Sequence, residues 1–105
     1  MTKTFGEIVA EARKKAGISQ KELAGRVIRD GKPLTPQYLN DIERDRRNPP
    51  SEPIIQELAK ALDLPADYLI LAAGSVPADL EDRMRGATPQ QVETAFRAFR
   101  KSLKG

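Results

Sequence analysis

The sequence predicts an all-α protein: five short helices followed by a C-terminal helical appendage. Three observations lead there. Helix-opening signals recur as Thr4-Phe5-Gly6-Glu7, Ser19-Gln20-Lys21-Glu22 and Thr88-Pro89-Gln90-Gln91, each a hydroxyl residue followed three positions later by Glu or Gln. Apolar residues repeat at helical spacing rather than in alternation. Val, Ile, Thr and the aromatics do not gather into runs that would read as strands.

The elements follow in order. From Thr4, the apolar residues Phe5, Ile8, Val9, Ala12 and Ala16 mark the first helix, and Gly17 stops it. The second helix opens at Ser19 and turns Leu23, Ala24 and Val27 inward. Arg29-Asp30-Gly31-Lys32-Pro33 reads as a turn. Thr35 and Pro36 are an N-cap with proline in the first helical position. This third helix is expected to reach about Arg44, with Leu39 and Ile42 inward, and Asn48-Pro49-Pro50 breaks it. Ser51 is expected to cap a fourth helix bearing Ile54, Ile55, Leu58, Ala59 and Leu62. Asp63-Leu64-Pro65 interrupts it. A fifth helix carries Tyr68, Leu69 and Leu71 and ends at Gly74. The domain boundary is expected there, with residues 1–74 as one domain and 75–105 as an extension. In the extension, breaks at Pro77 and Gly86 flank a short helix with Leu80 and Met84. A last helix runs from Thr88 to about Leu103.

The chain's 105 residues suit one domain, large enough to bury roughly two-thirds of its unfolded surface. It holds no Cys and no His. A disulfide framework, a thiolate metal site and a thiol nucleophile are therefore excluded, as is the commonest general base. No pair of titratable groups falls in a catalytic pattern, so neither an enzyme nor a cofactor nor a metal is expected. No apolar run approaches the ~20 residues of a membrane helix. The N-terminal residues show no signal-peptide core. The expectation is a cytoplasmic protein with no membrane partner.

The net charge of +3 is unevenly spread. Residues 1–50 carry 11 basic and 7 acidic groups, residues 51–82 carry 1 and 7, and residues 83–105 carry 6 and 1. A basic block beside an acidic one points to an oriented partner surface, with nucleic acid the first candidate; ordinary solvated helix faces are the plain alternative.

Two short helices joined by a turn, the second opening with polar residues and ending in arginines, have the layout of a helix-turn-helix. Specific residues carry a family likeness: Ile18-Ser19-Gln20-Lys21-Glu22-Leu23-Ala24, then Leu39-Asn40-Asp41-Ile42-Glu43-Arg44 followed by Arg46-Arg47-Asn48-Pro49. Leu58-Ala59-Lys60-Ala61-Leu62 and Pro65-Ala66-Asp67-Tyr68-Leu69 add to it. With these, the chain from Phe5 to Gly74 resembles the Xre/Cro-type helix-turn-helix domain of the lambda-repressor class. The resemblance implies a five-helix DNA-binding domain over residues 1–74. Three features depart from the family pattern: Asp45 where a glycine is usual, Pro36 at the first base-facing position, and a longer turn from Ile28 to Leu34.

On a helical wheel, Leu39 and Ile42 define the inward side of the third helix, leaving Gln37, Asn40, Asp41 and Arg44 opposite. Gln and Asn can bind adenine through two hydrogen bonds, and Arg can take guanine or a phosphate. Taken alone, the wheel fits a solvated polar face equally well. Asp41 either accepts from cytosine or pairs with Arg44 three residues on. Phosphate contacts are expected from Arg46, Arg47 and Asn48, and from Arg29 and Lys32 in the long turn. The resemblance adds Gln20 at the opening of the second helix. It also implies a structural ion pair between Arg13 and Glu43.

The last helix spaces Val92, Phe96, Phe99 and Leu103 by 4, 3 and 4 residues, one narrow apolar stripe. The stripe has three readings: it folds back on its own domain, joins a second copy, or grips another protein. The resemblance implies a transcriptional regulator of the repressor kind, bound as a homodimer to a pseudo-palindromic double-stranded DNA site. Release would come from a partner such as an antirepressor, from a protease acting on the tail, or from mass action. Two further functions share this fold: an antitoxin whose stripe grips a toxin, and an interaction adaptor that does not read DNA.

Overall fold

The computed structural model describes residues 3–103. It contains α1 (Phe5–Lys15), α2 (Gln20–Arg26), β1 (Ile28–Arg29), β2 (Lys32–Pro33), α3 (Pro36–Glu43), α4 (Glu52–Leu62), α5 (Ala66–Ala72), α6 (Ala78–Arg85) and α7 (Pro89–Ser102). The residues gather into two compact units that meet between Ser75 and Val76.

In the first unit, the capping boxes set two of the five helix starts. Thr4 Oγ1 accepts from Glu7 N and Ser19 Oγ from Glu22 N, with both glutamates answering the cap backbone. Thr35 Oγ1 accepts from Tyr38 N and so starts α3, with Pro36 just inside. Ser51 is the N-cap of α4, as expected, but it caps without a side-chain bond. One core cluster joins all five helices through Phe5, Val9, Leu23, Val27, Leu39, Ile42, Ile55, Leu58, Leu69 and Ile70. Ala16 lies exposed at the α1 C-cap, outside the expected apolar face. On α5 the inward residue beside Leu69 is Ile70, while Tyr68 and Leu71 remain 42% and 49% exposed. One residue along a helix is a rotation of about 100°, enough to exchange a buried position for an exposed one.

The expected turn between α2 and α3 is a β-hairpin. Ile28 faces Pro33 and Arg29 faces Lys32 across an antiparallel pair. Asp30 and Gly31 both have positive φ, 52° and 78°, as a two-residue hairpin turn of the primed type requires. The Leu34 amide then donates to Val27 O at 2.9 Å and to Ala24 O at 3.1 Å, and its buried side chain ties the hairpin back to α2.

The end of α3 is pinned against the start of α1. Asp45 is left-handed, with φ 56°. Its amide donates to Ile42 O, and the Arg46 amide reaches back to Asp41 O at 2.9 Å, the bond pair of a Schellman close. Asp tolerates this conformation better than most residues, and here it adds a carboxylate. Asp45 Oδ1 accepts from Gly6 N at 3.0 Å and Oδ2 from the Thr4 hydroxyl. The aspartate at a glycine position thus fastens α1 to α3. Gly6 is part of the same joint: a Cβ there would meet Ile42 O and lie 2.7 Å from both Glu43 O and Asp45 Oδ1. Gly6→Ala is therefore expected to destabilise by about 1–3 kcal/mol despite alanine's better helix propensity. A thermal melt equal to or above the parent's would contradict this close approach.

In the second unit, Thr88 and Gln91 form a third capping box, with Thr88 Oγ1 accepting from Gln91 N at 3.1 Å and Gln91 Oε1 accepting from Thr88 N at 2.9 Å. No described residue of α6 or α7 is buried. Val92 is half-buried, while Phe96, Phe99 and Leu103 are 45%, 49% and 69% exposed.

Candidate nucleic-acid interface

The site is built on α3, whose two sides differ in chemistry. Leu39, Ile42 and Glu43 are buried, Asn40 and Asp41 are partly covered, and Pro36 and Gln37 are exposed. Beneath the exposed side, Glu43 anchors the helix. Arg13 Nε donates to Glu43 Oε2 at 2.6 Å and Nη2 to Oε1 at 3.0 Å, while Nη1 donates to Ile18 O at 3.0 Å. The two-pronged geometry suits guanidinium and carboxylate, and charge makes these bonds strong. The hydrogen bond to Glu43 raises the Arg13 guanidinium pKa above its ordinary value, partly opposed by burial. Among the described residues Glu43 is the buried charged side chain, so its partner is structurally necessary.

Gln20 takes a different place from the one expected. Its amide nitrogen donates to Glu43 Oε1 at 3.0 Å and to Asn40 Oδ1 at 3.2 Å. An amide has two N–H donors, and both are engaged on α3, so this side chain braces α3. The brace fixes Asn40 while leaving its own NH2 group and a second lone pair on Oδ1, the pair of functions that adenine recognition needs.

Asp41 also differs from expectation. Gln37 Nε2 donates to Asp41 Oδ1 at 3.1 Å, and Arg46 Nη1 lies 3.9 Å from the same oxygen. Among the described residues no ion pair joins Asp41 to Arg44. The helix ends before Arg44, and the Schellman close brings Arg46 back over the last turn. Arg44, Arg46, Arg47 and Asn48 are all exposed along this exit, as are Arg29 and Lys32 on the hairpin.

One residue of the site escapes the wheel altogether. The Tyr38 ring has the Arg29 guanidinium carbon 4.6 Å from its centroid and that of Arg47 at 4.5 Å. The hairpin, α3 and the exit segment thus meet on one aromatic ring. An isolated aromatic among polar helix residues was the available signal, but the two arginines come from segments whose paths the sequence does not reveal.

A family model described as helix-turn-helix matches residues 9–69, more than half of the chain. The chain belongs to the Xre/lambda-repressor-like helix-turn-helix family of DNA-binding transcription regulators. A chain in a solved complex of SinR protein and SinI protein is similar in structure, with a TM-score of 0.55 and 24% identity over 94% of this chain and 99% of that one. At that identity the likeness concerns the fold. Comparison with curated proteins gives no match. No helix among the described residues is long and apolar enough to cross a membrane.

Proposed function

We propose that the protein is a sequence-specific transcriptional repressor that binds a pseudo-palindromic operator as a homodimer, with residues 1–74 as the DNA-binding domain and 75–105 as the dimerising extension. One observation carries the DNA reading. The outward edge of α3 bears exposed Gln37 and partly covered Asn40 and Asp41, flanked by the exposed cations Arg29, Lys32, Arg44, Arg46 and Arg47. The polar edge supplies base-reading groups, and the cations and Asn48 supply phosphate contacts. Two such helices about 34 Å apart would enter successive major grooves. The apolar stripe of α7 supports the pairing of two copies.

Salt titration on a selected operator and on random DNA tests this reading. A dimer that neutralises ~6–10 phosphates loses on the order of a thousandfold or more in affinity between about 50 and 200 mM salt. Gln37→Ala is expected to cost ~1–3 kcal/mol on the operator and little on random DNA. Arg46→Ala weakens both alike. Equal losses from the two variants on both DNAs would mean that α3 reads no bases with this edge, and a flat salt response in the parent would reject DNA-backbone binding.

A second reading keeps the DNA-binding half and gives the α7 stripe to a different protein, as in an antitoxin. The exposure of Phe96, Phe99 and Leu103 supports either occupant, and the similar fold occurs in a complex of two differently named proteins, SinR and SinI. Co-purification from native cells distinguishes a second copy from a foreign chain.

A further inference from the structure

We infer that Tyr38 is a positioning residue that holds Arg29 of the hairpin and Arg47 of the exit segment as one preassembled clamp for the DNA phosphate backbone. The inference rests on the DNA-binding reading above and assigns a role to a side chain that reads no base.

Both guanidinium carbons lie within 4.6 Å of one ring centroid, so they are at most 9.1 Å apart. Two cations gathered this closely repel each other. Among the described residues, neither has a carboxylate within ion-pair distance, whereas Arg13, Arg46, Arg85 and Arg97 each do. The negative face of the ring offsets part of that repulsion, and a dianionic stretch of backbone would offset the rest. Successive phosphates on one strand are one nucleotide apart, so two guanidiniums no more than 9.1 Å apart can reach one phosphate or its near neighbours. Planar guanidinium suits phosphate through paired hydrogen bonds.

Each of the three side chains leaves a backbone segment that is itself anchored. Tyr38 sits in the first turn of α3, its amide on the Thr35 cap and its ring packed against the core. Arg29 is held by the hairpin and its Asp-Gly turn. Arg47 follows the Schellman close at Asp45. The N-terminal end of a recognition helix is the end that approaches the bases, and the clamp lies one residue from Gln37. The hairpin that lengthens the α2–α3 connection thereby contributes a cation to the same edge.

The test is the salt dependence of binding to a short random-sequence DNA duplex, which requires no known operator. Tyr38→Phe keeps the ring and should bind within about twofold of the parent, because the cation–π contact needs only the π-face. Tyr38→Leu keeps the apolar contact and removes the π-face. It should weaken binding severalfold and reduce the salt slope by about 0.9 per protomer, one phosphate contact. In a background of Arg29→Ala with Arg47→Ala, Tyr38→Leu should add nothing further, since the groups it positions are gone. An unchanged slope in folded Tyr38→Leu, or equal losses in the Phe and Leu variants, would overturn the clamp. So would additive losses in the triple variant. If Tyr38→Leu fails to fold, Arg29→Ala and Arg47→Ala decide: the slope must fall in each, and the losses must be non-additive in the pair. A flat salt response in the parent removes the DNA reading itself; a steep parental slope unmoved by these variants removes the clamp alone.

Discussion

Glu43→Ala is expected to cost about 3–5 kcal/mol of stability, because it strands a largely covered guanidinium without its carboxylate. Arg13 and Glu43 side chains are 12% and 5% exposed, so water replaces the lost partner poorly. For a small domain this corresponds to a fall of at least ~12 °C in melting temperature. The loss has three parts. Arg13 keeps only its bond to Ile18 O, Gln20 loses one of its two acceptors, and α3 keeps its joint to α1 through Asp45 but loses the ionic one. Replacing both charges, Arg13→Met with Glu43→Leu, should recover much of the stability, since apolar groups of similar volume often match a buried pair. Operator affinity should recover less, because Gln20 then braces α3 through Asn40 alone. A Glu43→Ala melt within ~5 °C of the parent would mean that the core, not the ion pair, holds α3 at its angle.

Much of this architecture can be read from local chemistry. Capping boxes at Thr4, Ser19 and Thr88 mark helix starts because each needs only residues three apart. The apolar spacing in α1 to α4 identifies most of the core for the same reason. The hairpin was hidden by its size: two strands of two residues cannot show alternation, and only Asp30-Gly31 betrays the turn. The i,i+4 bond from Gln37 to Asp41 obeys helical spacing, but the arginine beside Asp41 could not be read that way, because the rule holds only while the helix continues. Left-handed Asp45 ends it and substitutes Arg46 for Arg44. The bracing role of Gln20 is not legible in the sequence, because it depends on where Asn40 and Glu43 stand 20 and 23 residues away. The exposed polar edge of α3, by contrast, follows directly from the buried positions of Leu39 and Ile42.

Phe96→Asp combined with Phe99→Asp is expected to give a folded monomer with greatly weakened operator binding. The fold should survive because no described residue of α7 is buried and the Thr88–Gln91 capping box remains. Full burial of a Phe is worth roughly 1.5–3 kcal/mol. With Phe96 and Phe99 45% and 49% exposed, about half of that is still available, so four rings across a pair supply ~3–6 kcal/mol. Association costs ~4–15 kcal/mol, so the rings alone leave the dimer marginal. Leu103 adds exposed apolar surface. The basic groups Arg97, Arg100 and Lys101 can add attraction to the acidic segment 51–82 of a partner copy. The parent should therefore dimerise in a concentration-dependent way and be drawn fully together on the operator, where binding one half-site makes the second contact intramolecular. That gain is on the order of a hundred- to ten-thousandfold, and the double variant should lose it while keeping its weak affinity for a single half-site. Sedimentation and operator titration of parent and variant measure both effects. An unfolded variant would place the stripe against its own chain. A variant that still dimerises would move the interface to the exposed Tyr68 and Leu71 of α5. A monomer that binds the operator as tightly as the parent would separate pairing from DNA recognition and leave the stripe to a different protein.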